Sequence, residues 1–255
     1  MDVAYNVSTT VTNAKGENIN IINLRNFAMK LTIIHFYDPS PPRLLTFKEF
    51  IEWYPNDGKR YELNNGVIIE MAPPTGDHED IAGFLARKIG TEFDRLNLPY
   101  NIPKTAFVKT PNAESAYSPD VLVINRANLI NEPLWKKEST VTQPESVPLV
   151  IEVISTAVAS SRETRPTHCL TNWRDDYYKK FADYEEMGIP EFWLVDYKAL
   201  GGRNFIGNPK QPTIFVCELV DEEYKMTAFT GNNLIISPTF TQLNLAVQQI
   251  FDAAS

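Results

Sequence analysis

Two apolar runs in this chain each carry one carboxylate, at a place where a buried strand has few ways to tolerate a charge. Asp120 opens the run Asp-Val-Leu-Val-Ile, and Glu152 interrupts the run Leu-Val-Ile-Glu-Val-Ile. Runs of four to eight apolar, β-branched residues predict strands that are buried on both faces. An unpaired carboxylate in such a strand is costly or stays protonated. The two runs therefore predict a buried sheet with a cation beside it.

A helical segment from 174 to 188 provides a candidate for that cation. Its inner stripe is formed by aromatic residues: Tyr177, Phe181 and Tyr184. Lys180 shares this stripe by helical spacing, whereas Lys179 points about 100° away. We therefore expect the ammonium of Lys180 to face the two carboxylates. Two other placements remain open, since Lys180 could pair with Asp176 one turn earlier or extend from the helix edge into solvent.

Composition bounds the class of protein. The chain has 255 residues, of which 43% are hydrophobic and 22% charged, enough for one well-packed globular domain. Residues 1–43 are polar and rich in Asn and end in a Pro-rich stretch, so we interpret them as a flexible N-terminal extension of a domain at 44–255. The net charge of −8 argues against tight, nonspecific binding of polyanions. Any contact with nucleic acid should be local or assisted by a metal.

The cysteine and histidine content excludes two common kinds of site. The two cysteines, Cys169 and Cys217, form no CxxC pair, so neither a disulfide scaffold nor a zinc site is indicated. His168 lies beside Cys169 but has no further ligand near it in sequence. The chain also has no apolar run of membrane-spanning length. We expect a protein of the reducing cytoplasm with no membrane partner.

The order of predicted elements indicates an α/β fold with a mixed sheet. Asn65-Gly66 between two extended runs is a strong signal of a hairpin, and it places Glu62 on a strand. Asp77 is the predicted N-cap of a long amphipathic helix with His78 in its first turn. We expect strand 106–108 to pair with 121–124 across a turn. Further strands are predicted at 191–196, 213–220, 225–230 and 233–237, followed by a helix at 243–251.

Two carboxylates on neighbouring strands that point into one notch make a ligand set typical of a hard divalent cation. Mg²⁺, or Mn²⁺ in its place, takes one or two protein carboxylates and completes its shell with water and phosphate oxygens. That arrangement serves metal-assisted hydrolysis of phosphodiesters. Lys180 would then stabilise the developing negative charge or orient the attacking water. Asp120 could alternatively do no more than begin a strand after Pro119.

Two further residues are candidates with plain alternatives. Glu62 could join the acidic cluster or be an exposed hairpin position. His78 could contact phosphate or water as a substrate-binding residue, or be a surface neighbour of a helix cap. The segment from 155 to 173 is long and polar for a connection between strand and helix, which is typical of a functional or a loosely ordered loop.

These residues together resemble a known family. The resemblance runs from Leu44 to Phe251 and rests on a set of short segments: Tyr61-Glu62-Leu63 with Asn65-Gly66, His78, Ser118-Pro119-Asp120-Val121, Val150 to Ser155, and Lys180 through Tyr184 to Asp196. The chain is similar to the Uma-two family of endonucleases, within the PD-(D/E)xK restriction-endonuclease-like superfamily. The resemblance implies a mixed central sheet flanked by helices, with an added N-terminal hairpin and C-terminal strands.

The resemblance also implies an activity and roles for residues. It implies a divalent-metal-dependent endonuclease acting on nucleic acid, with DNA as the expected substrate, and it allows a homodimer. Asp120 and Glu152 would bind the metal, and Glu62 would complete the acidic cluster. The lysine of the (D/E)xK tripeptide would fall at Ile154, so Lys180 would replace it from the helix. A catalytically inactive nuclease-fold protein that binds nucleic acid or a protein partner is the alternative.

Overall fold

The computed structural model describes residues 43–155 and 173–254 in full and the backbone of three short strands outside them. The chain divides into two compact units, Met1–Pro42 and Arg43–Ser255. In the first unit, strands β1 (Ser8–Thr12) and β2 (Asn18–Ile22) form an antiparallel hairpin. The sequence pattern did not predict these two strands, because each is short and rich in Ser, Thr or Asn.

The second unit holds the remaining helices and strands. Its strands are β3 (Arg60–Asn64), β4 (Val67–Met71), β5 (Tyr100–Asn101), β6 (Phe107–Lys109), β7 (Ala116–Tyr117), β8 (Val121–Asn125), β9 (Thr140–Val141), β10 (Leu149–Val153), β11 (Ser160–Ser161), β12 (Glu191–Asp196), β13 (Thr213–Val220) and β14 (Glu223–Phe229). Its α-helices are α1 (Phe47–Trp53), α2 (Gly76–Arg95), α3 (Trp135–Glu138), α4 (Phe181–Met187), α5 (Arg203–Ile206) and α6 (Val247–Phe251), and a π-helix covers Asp175–Lys180.

The first of two six-stranded sheets is mixed and has the strand order β14-β13-β12-β10-β8-β5. β10 runs parallel to β12 and antiparallel to β8, with Ile151 opposite Val121. Residues of its central strands alternate between two apolar clusters, as expected for strands buried on both faces. α2 and α6 pack on one face, and the π-helix with α4 packs on the other. The prediction of an α/β sheet flanked by helices is confirmed.

A second six-stranded sheet, in the order β11-β4-β3-β7-β6-β9, carries the predicted hairpin. β3 and β4 pair with Asn64 opposite Val67, and the turn residues Asn65 and Gly66 have φ of 48° and 79°. Positive φ at both positions is the conformation that an Asn-Gly hairpin turn requires. α1 covers this sheet, and a capping box of Thr46 and Glu49 begins it.

Two predictions about the elements are wrong. β6 pairs with β7, not with the strand after Asp120, because Pro119 offers no N–H to a ladder and the chain crosses there to the other sheet. The N-cap of α2 is Thr75, whose hydroxyl accepts from the N–H of His78, while Asp77 lies in the first turn and pairs with Lys198.

None of the helices in the described part of the chain is long and apolar enough to span a membrane.

The C-terminal part also differs from the prediction. Residues 233–237 form no strand and contribute one bridge, between Leu234 and Ala246. Ser237 turns inward and donates to the carboxylate of Glu191, which draws the segment away from the sheet edge. The last helix starts at Val247 because the preceding residues are extended in that bridge.

Most of the predicted loop at 155–173, with His168 and Cys169, lies outside the described residues.

Candidate active site

A small cavity of about 50 Å³ lies where the two sheets, the start of α2 and the π-helix meet. Its walls include the five residues that sequence reasoning gave a role in catalysis, metal binding or substrate binding: Glu62, His78, Asp120, Glu152 and Lys180. The two strand carboxylates therefore share one notch, as their neighbouring strands predicted. Arg60 and Asp176 also line it, and sequence reasoning gave neither of them a place there.

Asp120 is held in position by two hydrogen-bonding neighbours. Its Oδ2 accepts from the backbone N–H of Val153 at 2.8 Å and lies 3.2 Å from Nε2 of His78. The N–H comes from the residue after Glu152, so the β10 backbone aligns both acids. Burial raises the pKa of Asp120, but the hydrogen bond and positive charge of His78 outweigh it and lower that pKa below its usual value. Asp120 is therefore ionised near neutral pH.

Lys180 lies inside the cavity with its ammonium among three carboxylates. Nζ is 3.1 Å from Oε1 of Glu152, 3.5 Å from Oε1 of Glu62 and 3.5 Å from Oδ1 of Asp176. The side chain is 5% exposed. Burial lowers the pKa of Lys180, but Glu152, Glu62 and Asp176 more than reverse this and raise it well above its usual value. The inward orientation expected from the helical spacing and the pairing with Asp176 occur together.

Glu152 and Asp176 are the two acids of this cluster whose pKa values are raised. Burial raises the pKa of Glu152 well above its usual value, and the attraction of Lys180 only partly opposes this. Burial likewise raises the pKa of Asp176 from 3.8 to about 7. Glu152 also accepts a hydrogen bond from the hydroxyl of Tyr184 at 3.0 Å. More negative charge is buried here than one ammonium neutralises.

The helix that presents Lys180 begins as a π-helix rather than the continuous α-helix that the apolar stripe predicted. In its wider turn, Asp176, Tyr177 and Lys180 are all buried. Tyr177 is anchored by a hydrogen bond from its hydroxyl to Asp196 at 3.1 Å. π-helical turns are rare and frequent at functional sites. The four-residue spacing of Asp176 and Lys180 was the available signal for Asp176, and sequence reasoning used it only for an alternative ion pair with Lys180.

Glu62 and His78 are not surface residues. Glu62 is 4% exposed, and its Oε1 accepts from the N–H of Ser118 at 2.9 Å. This rules out the exposed hairpin position as its placement. His78 is buried, and its Nδ1 has no hydrogen-bond partner among the described residues, although Oε1 of Glu79 lies 3.5 Å away. Burial lowers the pKa of His78, and its pairing with Asp120 outweighs this and raises it.

The arrangement of these acids differs from a closed metal-ligand set. Within residues 43–155 and 173–254, no three His, Cys, Asp or Glu side chains are grouped to hold a metal ion. The ammonium of Lys180 lies between Glu62 and Glu152, so these two contribute to an ion-pair cluster. Carboxylate oxygens remain the donor type that a hard cation prefers, and two suffice for Mg²⁺. Cys217 is buried away from this cavity and takes no part in it.

Comparisons with known proteins agree on family and fold. A family model described as Uma2, "Putative restriction endonuclease", matches residues 47–248. A solved structure described as "a putative nuclease belonging to DUF820", from Anabaena variabilis ATCC 29413, is similar with a TM-score of 0.58 and 16% identity, covering 83% of this chain and 99% of that chain. That likeness carries the fold alone. No curated protein matches the chain. Because the family model spans most of the chain, the protein belongs to the Uma2 family of restriction-endonuclease-like proteins.

Proposed function

We propose that this protein is a divalent-metal-dependent endonuclease that hydrolyses phosphodiester bonds, with DNA as its substrate. The observation that carries the proposal is the contact between Lys180 and Glu152, 3.1 Å apart, in the cavity that Asp120 also lines. Ile154 occupies the tripeptide position expected to hold a lysine and is fully buried in the apolar cluster. A lysine from the neighbouring helix thus supplies a positive charge to the same face of β10.

Asp120 and Glu152 would hold Mg²⁺ or Mn²⁺, with Glu62 as the third acid. When bound, the metal would lower the pKa of a water molecule and would act as a Lewis acid on the phosphate oxygens. The donor chemistry fits, because burial and, to a smaller extent, the charges of Asp120, Asp176 and Glu62 raise the pKa of Glu152, and a bound cation would oppose both effects. The N–H of Val153 and the ring of His78 hold Asp120 in one orientation. Such outer partners orient metal ligands and tune their basicity.

Lys180 would act on the reacting phosphate. Its side chain is buried and its pKa is raised, so it stays an ammonium throughout the physiological range. A positioned cation stabilises charge that develops in the transition state at little reorganisation cost. Moving a short distance from Glu62 or Asp176 would bring it to the phosphate or to the attacking water. His78, whose Nε2 lies 3.2 Å from Oδ2 of Asp120, would contact phosphate or water.

A noncatalytic nuclease-fold protein that binds nucleic acid or a protein partner is the second candidate. The observation that favours it is the ammonium of Lys180 lying among carboxylates in a part of the chain where no three metal ligands are grouped. In that case Lys180 would be a permanent counter-ion.

Homodimer formation and a cytoplasmic location belong to the proposal as expectations from the family resemblance and from composition.

The two candidates separate in a cleavage assay. The purified protein would be incubated with supercoiled plasmid, single-stranded DNA and RNA in the presence of Mg²⁺, Mn²⁺ or EDTA. We expect nicking or linearisation of plasmid with metal, none with EDTA, and none by Asp120→Asn prepared in parallel. Absence of cleavage of all three substrates, with a folded protein, would favour the noncatalytic candidate. Cleavage that persists in Asp120→Asn would indicate a contaminating nuclease.

A further inference from the structure

Arg60 is a cation of the cavity that the nuclease proposal does not use. It is the first residue of β3, two positions before Glu62, so both side chains project from the same face of the strand. It lines the cavity together with Met71, its partner across the hairpin. Arg60 is neither exposed nor fully buried. Its guanidinium therefore stands at the wall of the cavity, where a ligand can reach it.

The pairing of charges distinguishes Arg60 from the other cations near it. The ammonium of Lys180 is paired with Glu152, Glu62 and Asp176 at 3.1 to 3.5 Å. Lys59, the neighbour of Arg60, pairs with Glu70 at 2.6 Å. Arg60 itself forms no ion pair or side-chain hydrogen bond with any residue in 43–155 or 173–254. Its five donors are free of protein acceptors in that part of the chain.

Arg60 lines the same cavity as His78 and Asp120. His78 in turn contacts Asp120. A ligand oxygen placed between Arg60 and His78 would therefore lie next to the acid proposed to bind metal.

We propose that Arg60 binds the non-bridging oxygens of the phosphodiester that enters this cavity. A cavity walled by four acids repels a polyanion, and a planar guanidinium with unpaired donors is the group best suited to hold a phosphate there in two-point contact. Arg60 thus supplies local attraction in a chain whose net charge is −8. The inference rests on the proposed function only for the identity of the ligand as nucleic acid.

The test compares Arg60→Gln, Arg60→Lys and the control Lys59→Gln on the adjacent, ion-paired position. Fluorescence anisotropy would measure Kd for labelled duplex DNA, single-stranded DNA and RNA in EDTA and in Ca²⁺, over a range of salt concentrations. We expect Arg60→Gln to raise Kd about tenfold or more and to reduce the salt slope by about one ion. Arg60→Lys should keep the salt slope and lose part of the affinity. It keeps the positive charge but loses the planar guanidinium that can donate two parallel hydrogen bonds to a phosphate.

The outcomes separate this inference from the nuclease proposal. In cleavage assays Arg60→Gln should raise KM more than it lowers kcat, since ground-state binding is lost. If wild-type protein cleaves nothing while Arg60→Gln still weakens binding relative to Lys59→Gln, the nuclease proposal fails and this inference stands. Equal Kd and salt slope for Arg60→Gln and Lys59→Gln would overturn the inference, as would failure of the wild type to bind any of the three nucleic acids. Loss of folding in Arg60→Gln leaves Arg60→Lys to decide, because unchanged affinity in that variant would also overturn it.

Discussion

Buried carboxylates occur in two regions of this molecule, and they are stabilised differently. On β12, Glu191 accepts from the indole of Trp193, the hydroxyl of Ser237 and the N–H of Thr239. At the other end of the same strand, Asp196 accepts from the N–H groups of Leu200 and Gly201 and from the hydroxyl of Tyr177. Neutral donors surround both acids. No Lys or Arg is paired with either of them within the described residues.

In the cavity, by contrast, several acids share one ammonium. Glu62, Glu152 and Asp176 all lie within 3.5 Å of Nζ of Lys180. Burial by itself is not the difference, because it raises the pKa of Glu191 as well, against hydrogen bonds from Thr239, Trp193 and Ser237. The difference is the kind of partner. Hydrogen bonds from neutral donors hold a chain segment in place. An excess of acids over cations, by contrast, favours the binding of a further cation.

The largest effect we expect separates the two regions by activity. Asp120→Asn and Glu152→Gln should reduce cleavage on the order of a thousandfold, because losing a metal ligand costs more than the roughly 10- to 100-fold typical of losing its outer partner. Glu191→Gln should keep the cleavage rate per folded molecule while lowering the free energy of unfolding. Plasmid cleavage and urea unfolding of all three variants would check this. A large loss of activity in folded Glu191→Gln would break the comparison.

The next effect concerns the shared ammonium. Lys180→Met should lower the cleavage rate by about a hundredfold, because it removes a positive group that acts on transition-state charge. It should also destabilise the protein at pH 8 by about 3 to 5 kcal/mol, since three buried acids lose their cation. Lys179→Met is the matched control, because Lys179 pairs with Asp183 at 3.0 Å outside the cavity. Normal turnover in Lys180→Met, or equal losses in both variants, would contradict a catalytic role.

A third effect is stabilisation by metal. A cation that binds only the folded protein stabilises it by mass action, by about 2.7 kcal/mol at a concentration 100 times its Kd. We expect millimolar Mn²⁺ or Mg²⁺ to raise Tm in wild type and in Glu191→Gln, with no response in Asp120→Asn. Differential scanning calorimetry against an EDTA reference measures this. Metal-independent melting of the wild type would mean that Lys180 already satisfies the acids of the cavity.

The same contrast explains which parts of the molecule the sequence predicts. The Asn65-Gly66 hairpin and the neighbouring strands of Asp120 and Glu152 follow from local turn chemistry and from apolar runs, and both are confirmed. Lys180 was found by helical period, which needs only a few adjacent residues. Such signals are local, so one sequence is enough to detect them.

The features that sequence reasoning missed depend on contacts between distant segments. The π-helical turn that buries Asp176 is anchored by Tyr177 on Asp196, a residue of another strand. The split between β7 and β8 at Pro119 sends one strand to each sheet. Arg60 gives no signal in the sequence, because its place in the cavity wall and its lack of an ion pair within the described residues both come from the fold. No local period encodes these arrangements, because they are set by tertiary packing.

The smallest effect we expect sharpens the comparison through pH. Burial raises the pKa of Asp176 from 3.8 to about 7, so the folded state holds a proton that the unfolded state releases. Its contribution to stability is fully present below about pH 4 and is lost as the pH rises through 7. Asp176→Asn stays neutral throughout, so it should stabilise the metal-free protein at pH 8 by about 1 to 2 kcal/mol, with a clearly smaller effect at pH 5. Urea unfolding in EDTA at both pH values measures this, with Asp183→Asn as a control on the same helical segment. A loss of stability at pH 8 in Asp176→Asn would show that its attraction to Lys180 exceeds its burial cost, and the cavity would then resemble the satisfied acids of β12.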